Sequence, residues 1–262
     1  MSNFKLTAAL LSDIGMKRKQ NQDHGEYHLD LGLFIVADGM GGHQGGETAS
    51  QLCVEKVVAH VEAAQREGHA DSALLQQSLL IANQAIYELS AKEPSLNGMG
   101  TTATVLKITN NLATFAQVGD SRAYYWNKIG LWQLTQDHSL VQEKLRAGMI
   151  TRDQVKTDEM KNVITRSVGY EMNMKVDLFT FEIEAGDGFL LCSDGLTGLV
   201  DNSLMFDILE ETRKSGLSLD DAAAKLVKAA NNHGGDDNVT VILVAVESSS
   251  PSSTAVAAKK KE

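Results

Sequence analysis

Apolar and polar positions change period several times along this chain, and each change marks an element. Leu33-Phe34-Ile35-Val36-Ala37, Phe189-Leu190-Leu191-Cys192 and Val239-Thr240-Val241-Ile242-Leu243-Val244 are nearly continuous apolar runs rich in β-branched residues. Runs of this kind, ended by turn residues, read as strands buried on both faces. Phe4 to Leu11 reads as a first strand, and Val176 to Ile183 alternates with period two, the mark of a half-buried strand. Thr104 to Ile108 and Leu112 to Ala116 flank Asn110-Asn111, which suits a hairpin closed by a type I′ turn. Ala123 to Trp126 and Leu131 to Leu134 make a second hairpin around Asn127 to Gly130.

Between these strands the period lengthens. Ala49, Leu52, Cys53, Lys56, Val57, His60, Val61 and Ala64 trace one stripe of an amphipathic helix, on which His60 is a partly buried packing residue. A second helix spans about Ser72 to Lys92, with Leu75, Leu79, Ala82, Ile86 and Leu89 inward and Pro94 beyond its end. Two more cover about Ser203 to Lys214 and Leu219 to Asn231, the latter capped at Ser218. A helical insertion from Ser139 to Ala147 stops at Gly148 and restarts at Thr151-Arg152-Asp153-Gln154, which has the form of a capping box. Asp137-His138-Ser139 before it reads as an N-cap cluster in preference to a hinge. Hairpins plus two separate pairs of helices predict an α+β domain with antiparallel sheets.

With 262 residues the chain fits a single domain, residues 1–247, followed by a Ser, Ala and Lys tail, 248–262, with nothing to bury. Lys259-Lys260-Lys261 is too short to anchor a membrane alone. A net charge of -10 argues against nucleic acid as a partner, so Tyr124, Tyr125, Trp126 and Trp132 read as cross-strand packing rather than a base-stacking platform. Cys53 and Cys192 fall within apolar patterns as buried free thiols, and no secretory signal or long apolar span is present. The expectation is a reduced, cytoplasmic protein.

The candidate chemistry lies where the apolar runs end. Val36-Ala37 leads into Asp38-Gly39-Met40-Gly41-Gly42-His43, and Leu191-Cys192 leads into Ser193-Asp194-Gly195. Gln117-Val118-Gly119-Asp120-Ser121 is a shorter relative, and Gly234-Gly235-Asp236-Asp237-Asn238 sets acids just before the last strand. A lone Asp-Gly reads as a hairpin turn. Four strand-end acids in one chain instead predict a shared centre, because an unpaired carboxylate at the end of a core strand needs compensating charge. With few His and Cys at ligand spacing, an all-oxygen site for a hard cation such as Mg2+ or Mn2+ is favoured over zinc.

Arg18-Lys19-Gln20-Asn21-Gln22-Asp23, Asp38 to His43, Gly100-Thr101-Thr102, Val118 to Arg122, Asp194-Gly195 and Asp237-Asn238 occur in the order found in the type 2C protein phosphatases. The chain resembles a bacterial member of that family, also called PPM, over nearly all of its length except the tail. The resemblance implies two stacked antiparallel sheets flanked by helices, a four-layer α-β-β-α sandwich with a metal centre at one end. It implies two to three Mn2+ or Mg2+ ions: Asp38 bridges two of them, the Gly39 carbonyl binds one, and Asp194 with Asp237 binds the other. Asp23 would hold metal-bound water, and Asp120 would bind a third ion with Asp194. Arg18, locally one of a basic surface trio, matches the arginine that grips phosphate. Residues of about 139–165 fall where bacterial members carry a flap beside the site.

Two positions depart from the pattern. Met40 stands where animal members have the proposed acid, so His43 is left as an acid, an orienting group or a surface residue. Gln22 replaces a Glu of some relatives. The implied reaction is hydrolysis of phosphoserine and phosphothreonine on proteins, opposing a cognate Ser/Thr kinase, by a monomeric enzyme. A covalent cysteine phosphatase is excluded, since neither Cys53 nor Cys192 is followed at the sixth position by Arg. A serine hydrolase lacks its Gly-x-Ser-x-Gly elbow. A phosphoprotein-binding regulator or a metal-dependent phosphodiesterase would be the alternatives.

Overall fold

The computed structural model describes residues 4–64, 70–155 and 157–249. In chain order come β1 (Phe4–Asp13), β2 (Asp23–His28), β3 (Leu33–Met40), α1 (Gly42–Ala64), α2 (Asp71–Lys92), β4 (Gly100–Thr101), β5 (Ala103–Thr109) and β6 (Leu112–Val118). There follow β7 (Arg122–Trp126), β8 (Leu131–Gln133), α3 (Leu140–Arg146), α4 (Arg152–Val155), β9 (Asp177–Glu182) and β10 (Gly188–Cys192). The last elements are α5 (Asp194–Thr197), α6 (Asn202–Ser215), α7 (Leu219–Asn232) and β11 (Val239–Ser248). One sheet runs β1-β11-β10-β7-β8, the other β2-β3-β5-β6-β9 with β4 on β3, and every pairing is antiparallel.

Each buried strand splits its residues between two apolar layers because successive side chains leave opposite faces. On β3, Leu33, Ile35 and Ala37 pack with α1 and α2 residues such as Val57 and Leu79, while Phe34 and Val36 turn into the space between the sheets. On β11, Val239, Val241 and Leu243 face α6 and α7, whereas Ile242, Val244 and Val246 point to the intersheet layer. Phe115 stacks on Phe179 across strands at 4.9 Å and takes Phe189 of the other sheet edge-on at 5.6 Å. The four-layer α-β-β-α sandwich is therefore three stacked cores. Fully burying each Leu, Ile or Phe in them contributes on the order of 1.5–3 kcal/mol.

Several sequence readings are refined. Asp23–His28 is a strand, though its polar residues hid it; it lies at a sheet edge with most side chains only half-buried. The Asn110-Asn111 turn is not type I′, which needs positive φ at both central residues; among the described residues Asn110 (φ 56°) is the non-glycine residue with positive φ. Tyr124 and Trp126 are buried, and Tyr125 stacks on Trp132, as packing requires. The Ser218 cap forms a full capping box with Asp221. Of the box expected at Thr151, one half is present, with Thr151 N–H donating to Gln154 Oε1.

The first long helix begins earlier than its apolar stripe suggests. Gly45 and Gly46 lie inside α1, which starts at Gly42. Gly39 needs no Cβ because one would overlap the Gly46 carbonyl and the Gln22 main-chain oxygen. Strand end and helix start thus touch backbone to backbone. Gly39→Ala should destabilise the metal-free protein by about 1–3 kcal/mol, lowering its thermal midpoint by roughly 3–10 °C. Calorimetry in chelator checks this, and an unchanged midpoint refutes the close approach.

Candidate metal centre

The antiparallel topology carries the C-terminal ends of β3, β6 and β10 and the N-terminal end of β11 to one pole of the sandwich. Asp38 sits near the end of β3 and faces Asp23 directly across the β2–β3 ladder. Asp120 occupies the β6–β7 turn, Asp194 opens α5 immediately after β10, and Asp237 precedes β11. The aspartates predicted from strand ends are therefore brought together.

Hydroxyls hold the frame. Thr102 N–H (2.8 Å) and Thr101 Oγ1–H (2.9 Å) both donate to the Asp38 carbonyl, and Asp38 N–H donates to Thr102 Oγ1 at 2.9 Å. Thr102 Oγ1 is also 2.7 Å from Ser121 Oγ, which ties β3 to the turn bearing Asp120. Ser193 Oγ donates to Asp23 Oδ2 at 2.7 Å and accepts from Thr240 N–H. Asn238 receives Gln22 N–H on its Oδ1 and donates to the carbonyls of Ile14 and Gln20, stitching the basic loop to the start of β11. Thr101, Thr102, Ser121 and Asn238 lie inside the sequence motifs, but their role emerges only here, since the partner of a hydroxyl or amide is set by folding.

The electrostatics is severe. Burial, followed by the charges of Asp23, Asp194, Asp120 and Asp237, pushes the Asp38 carboxyl well above the usual range. Asp23 rises to about 7, mainly through burial with Asp194 and Asp237 adding, against the Ser193 and Thr240 hydrogen bonds. Asp120 rises to about 8 through burial, Asp194 and Asp137, opposed by Arg122. Asp194 is raised by burial and by Asp237, opposed by Asp38, Arg122 and Arg18. Carboxyls buried this close together are relieved by protons or by cations.

Asp23 Oδ1 is buried without a hydrogen-bond partner among the described residues. An orphaned buried oxygen and crowded, raised carboxyls are the chemistry a hard divalent cation satisfies. Among the described residues no three His, Cys, Asp or Glu side chains converge tightly enough to hold an ion alone. Mg2+ is commonly held by one or two carboxylates with waters and other oxygens completing its shell.

Asp38, Asp194 and Asp237 line an open cleft of about 1110 Å3, together with Lys17, Arg18 and Lys161. Asp23 and Asp120 are each 8% exposed and are not part of that lining. Arg18 Nη2 lies 2.5 Å from Asp237 Oδ2, so the expected phosphate grip is placed at the centre itself, paired with a carboxylate. Gln22 Nε2 donates to the Gly42 carbonyl at 2.7 Å, at the start of α1. The His43 side chain lies outside the described residues. Cys53 and Cys192 are buried and pushed up to about 12 by burial, so neither is a nucleophile.

The N-cap reading of Asp137-His138-Ser139 holds for the position of Ser139 and not for the work of Asp137 and His138. Ser139 holds the N-cap position of α3 without a side-chain cap bond. Asp137 instead takes Arg122 in a fork, Nε to Oδ1 at 2.9 Å and Nη2 to Oδ2 at 2.7 Å.

Comparison with known proteins matches residues 17–230 to the protein phosphatase 2C family model. The chain belongs to this family. It is 40% identical over 224 residues to the protein phosphatase PhpP of Streptococcus pneumoniae, covering 84% of this chain and 89% of that one. The Mycobacterium tuberculosis serine/threonine phosphatase PstP/Ppp superposes with a TM-score of 0.85 at 33% identity, over 92% of this phosphatase 2C chain and 99% of the other. The PstP catalytic domain in complex with two manganese ions gives 0.83 at 32% identity, over 93% and 99%.

The raised carboxyls set the pH dependence of this phosphatase 2C domain. Between an unfolded pKa near 4 and folded values of about 7 and 8 for Asp23 and Asp120, the folded state binds more protons than the unfolded state. Stability of the metal-free protein then falls as pH rises through that window, by up to about 1.4 kcal/mol per pH unit per group. Thermal melts in chelator should show a lower midpoint at pH 8 than at pH 6, with Mn2+ restoring more at pH 8. A midpoint rising from pH 6 to 8 contradicts the buried cluster.

Proposed function

We propose that the carboxylate pole hydrolyses phosphoserine and phosphothreonine on protein substrates, and that Arg18 presents the phosphoryl group to it. The chain is a metal-dependent protein serine/threonine phosphatase. The observation that carries the residue assignment is the convergence of the buried, raised carboxyls of Asp38 and Asp194 with Asp237 on the lining of a cleft that also presents Arg18.

In this reading Asp38, the Gly39 carbonyl, Asp194 and Asp237 hold two Mn2+ or Mg2+ ions, and Asp120 with Asp194 holds a third. Such ions supply a water acidic enough to attack at neutral pH and offset charge on the phosphoryl oxygens. Asp23, whose Oδ1 has no partner among the described residues, accepts from water retained in the centre. Arg18 uses one guanidinium nitrogen on Asp237 and keeps further donors in the cleft for phosphoryl oxygens. The Thr102 and Asn238 bonds keep the carboxylates aimed, so little reorganisation is needed on binding. His43 is retained as the candidate proton donor for the serine or threonine leaving group.

The wider assignments belong to the same proposal. The catalytic domain is residues 1–247, with 248–262 a tail; residues 250–262 of that tail lie outside the described residues. Residues 139–165 form the flap, and Lys161, Asn162 and Ile164 from it line the cleft, which supports a role in choosing substrates. Phosphorylated proteins and a cognate Ser/Thr kinase are the partners, for a monomeric, cytoplasmic enzyme. None of the described helices is long and apolar enough to cross a membrane.

Asp38→Asn and Asp194→Asn should each abolish phosphate release from a phosphothreonine peptide with Mn2+ while the domain stays folded. Calorimetric Mn2+ titration beside the kinetics tests this, and near-normal turnover in either variant removes it from the centre. Arg18→Ala should raise KM about 10-fold or more, by removing a charge-assisted contact worth on the order of 1.5–3 kcal/mol. Its loss of the exposed Asp237 pair should barely change stability. An unchanged kcat/KM would return Arg18 to the surface.

A further inference from the structure

One buried imidazole outside the carboxylate cluster grips the turn that carries Asp120. His138 is 3% exposed. Its Nδ1 lies 3.1 Å from the Gly119 amide nitrogen, and its own N–H donates to the Gly119 carbonyl at 3.0 Å. An amide N–H can only donate, so Nδ1 is the bare nitrogen and the ring proton sits on Nε2. Nε2 lies 3.0 Å from Asp177 Oδ2 at the start of β9. Arg166 reaches the other oxygen of Asp177 at 2.9 Å. Burial, opposed by the Asp177 hydrogen bond and assisted by Arg166, lowers the pKa of the ring.

The turn itself has no slack. Gly119 has φ 102°, and a Cβ on it would meet Thr102 Cβ at 2.6 Å. Thr102 in turn bonds both Asp38 and Ser121. On its other side His138 accepts Thr165 N–H at 2.8 Å, and Ser139 bridges Ile164. The ring is thus held by Asp177 on β9, and the His138 main chain by the end of the 139–165 segment, and the residue delivers that fixity to the amide next to Asp120.

We propose that His138 is a positioning residue that sets the Asp120 carboxylate in the metal centre through the Gly119 amide, with Asp177 holding its tautomer. This rests on the assignment of Asp120 to that centre. Partners of this kind act through orientation, as the groups behind metal-ligating residues do.

Asparagine and glutamine separate the two ring nitrogens. The Oδ1 of His138→Asn falls near the place of Nδ1 and can still accept Gly119 N–H, while the amide of His138→Gln reaches toward Asp177 and leaves Gly119 bare. His138→Gln should lower kcat on a phosphothreonine peptide and weaken Mn2+ binding by calorimetry, each by about 10–100-fold, with KM little changed. His138→Asn should lose least. Asp177→Ala, at a side chain 45% exposed, tests the same linkage without entering the core and should weaken Mn2+ binding in the same direction. Amide exchange at Gly119 in the metal-free protein should quicken in the glutamine variant and stay slow in the asparagine variant.

Equal losses in the two His138 variants, tracking equal drops in thermal midpoint, would reduce the residue to packing and overturn the proposal. Asp120→Asn is the control. If it binds Mn2+ and turns over normally, the assignment of Asp120 fails. If it is impaired while His138→Gln is not, only the positioning role fails.

Discussion

Everything at the active pole follows from carboxylates buried closer together than their charges allow. Asp23, Asp38, Asp120 and Asp194 are all pushed toward the protonated form, each first by burial and then by neighbouring acids. Such a cluster costs stability in the absence of cations and becomes a strong site in their presence, because the same desolvation that raises a pKa strengthens attraction to a divalent ion. The hydroxyl and amide bonds from Thr101, Thr102, Ser193 and Asn238 are what keep the chain from relieving that repulsion by moving the strands apart.

The sandwich gives the repulsion something rigid to work against. Three apolar layers, one between the sheets and one under each helical pair, lock the strands whose ends carry the acids. The backbone contact between Gly39 and Gly46 brings the first helix to the end of β3, so Asp38 sits where strand and helix meet without side chains between them. Arg18, Lys17 and Lys161 add positive charge around the same cleft, a sensible surface for an enzyme of net charge -10 whose substrate carries phosphate.

The paired motifs were legible because their signal is local. An apolar run ending in Asp-Gly is readable at Asp38 and Asp194, and repetition of the pattern at four places made a shared centre a better account than four turns. Helices were equally plain where the stripe was strong, as from Ala49 to Ala64. The signal failed where neighbours in sequence were silent: β2 is an edge strand of mixed polarity, and the Asp137-His138-Ser139 run looked like a cap because Asp and Ser are the residues that cap helices. Its true partners, Arg122, Gly119 and Asp177, lie 15, 19 and 39 positions away.

The sequence alone therefore determined the class of chemistry, the strongly patterned strands and helices in their order, and the acids available to bind metal, since periodicity and strand-end carboxylates are encoded within a few residues of each other. Tertiary structure decided what those acids experience. Only the antiparallel register sets Asp23 opposite Asp38, and only the packing of two sheets closes Ser193 onto Asp23 and Asn238 onto the basic loop. Proton affinities and hydrogen-bond partners depend on distance and burial in three dimensions, quantities that spacing along the chain does not contain.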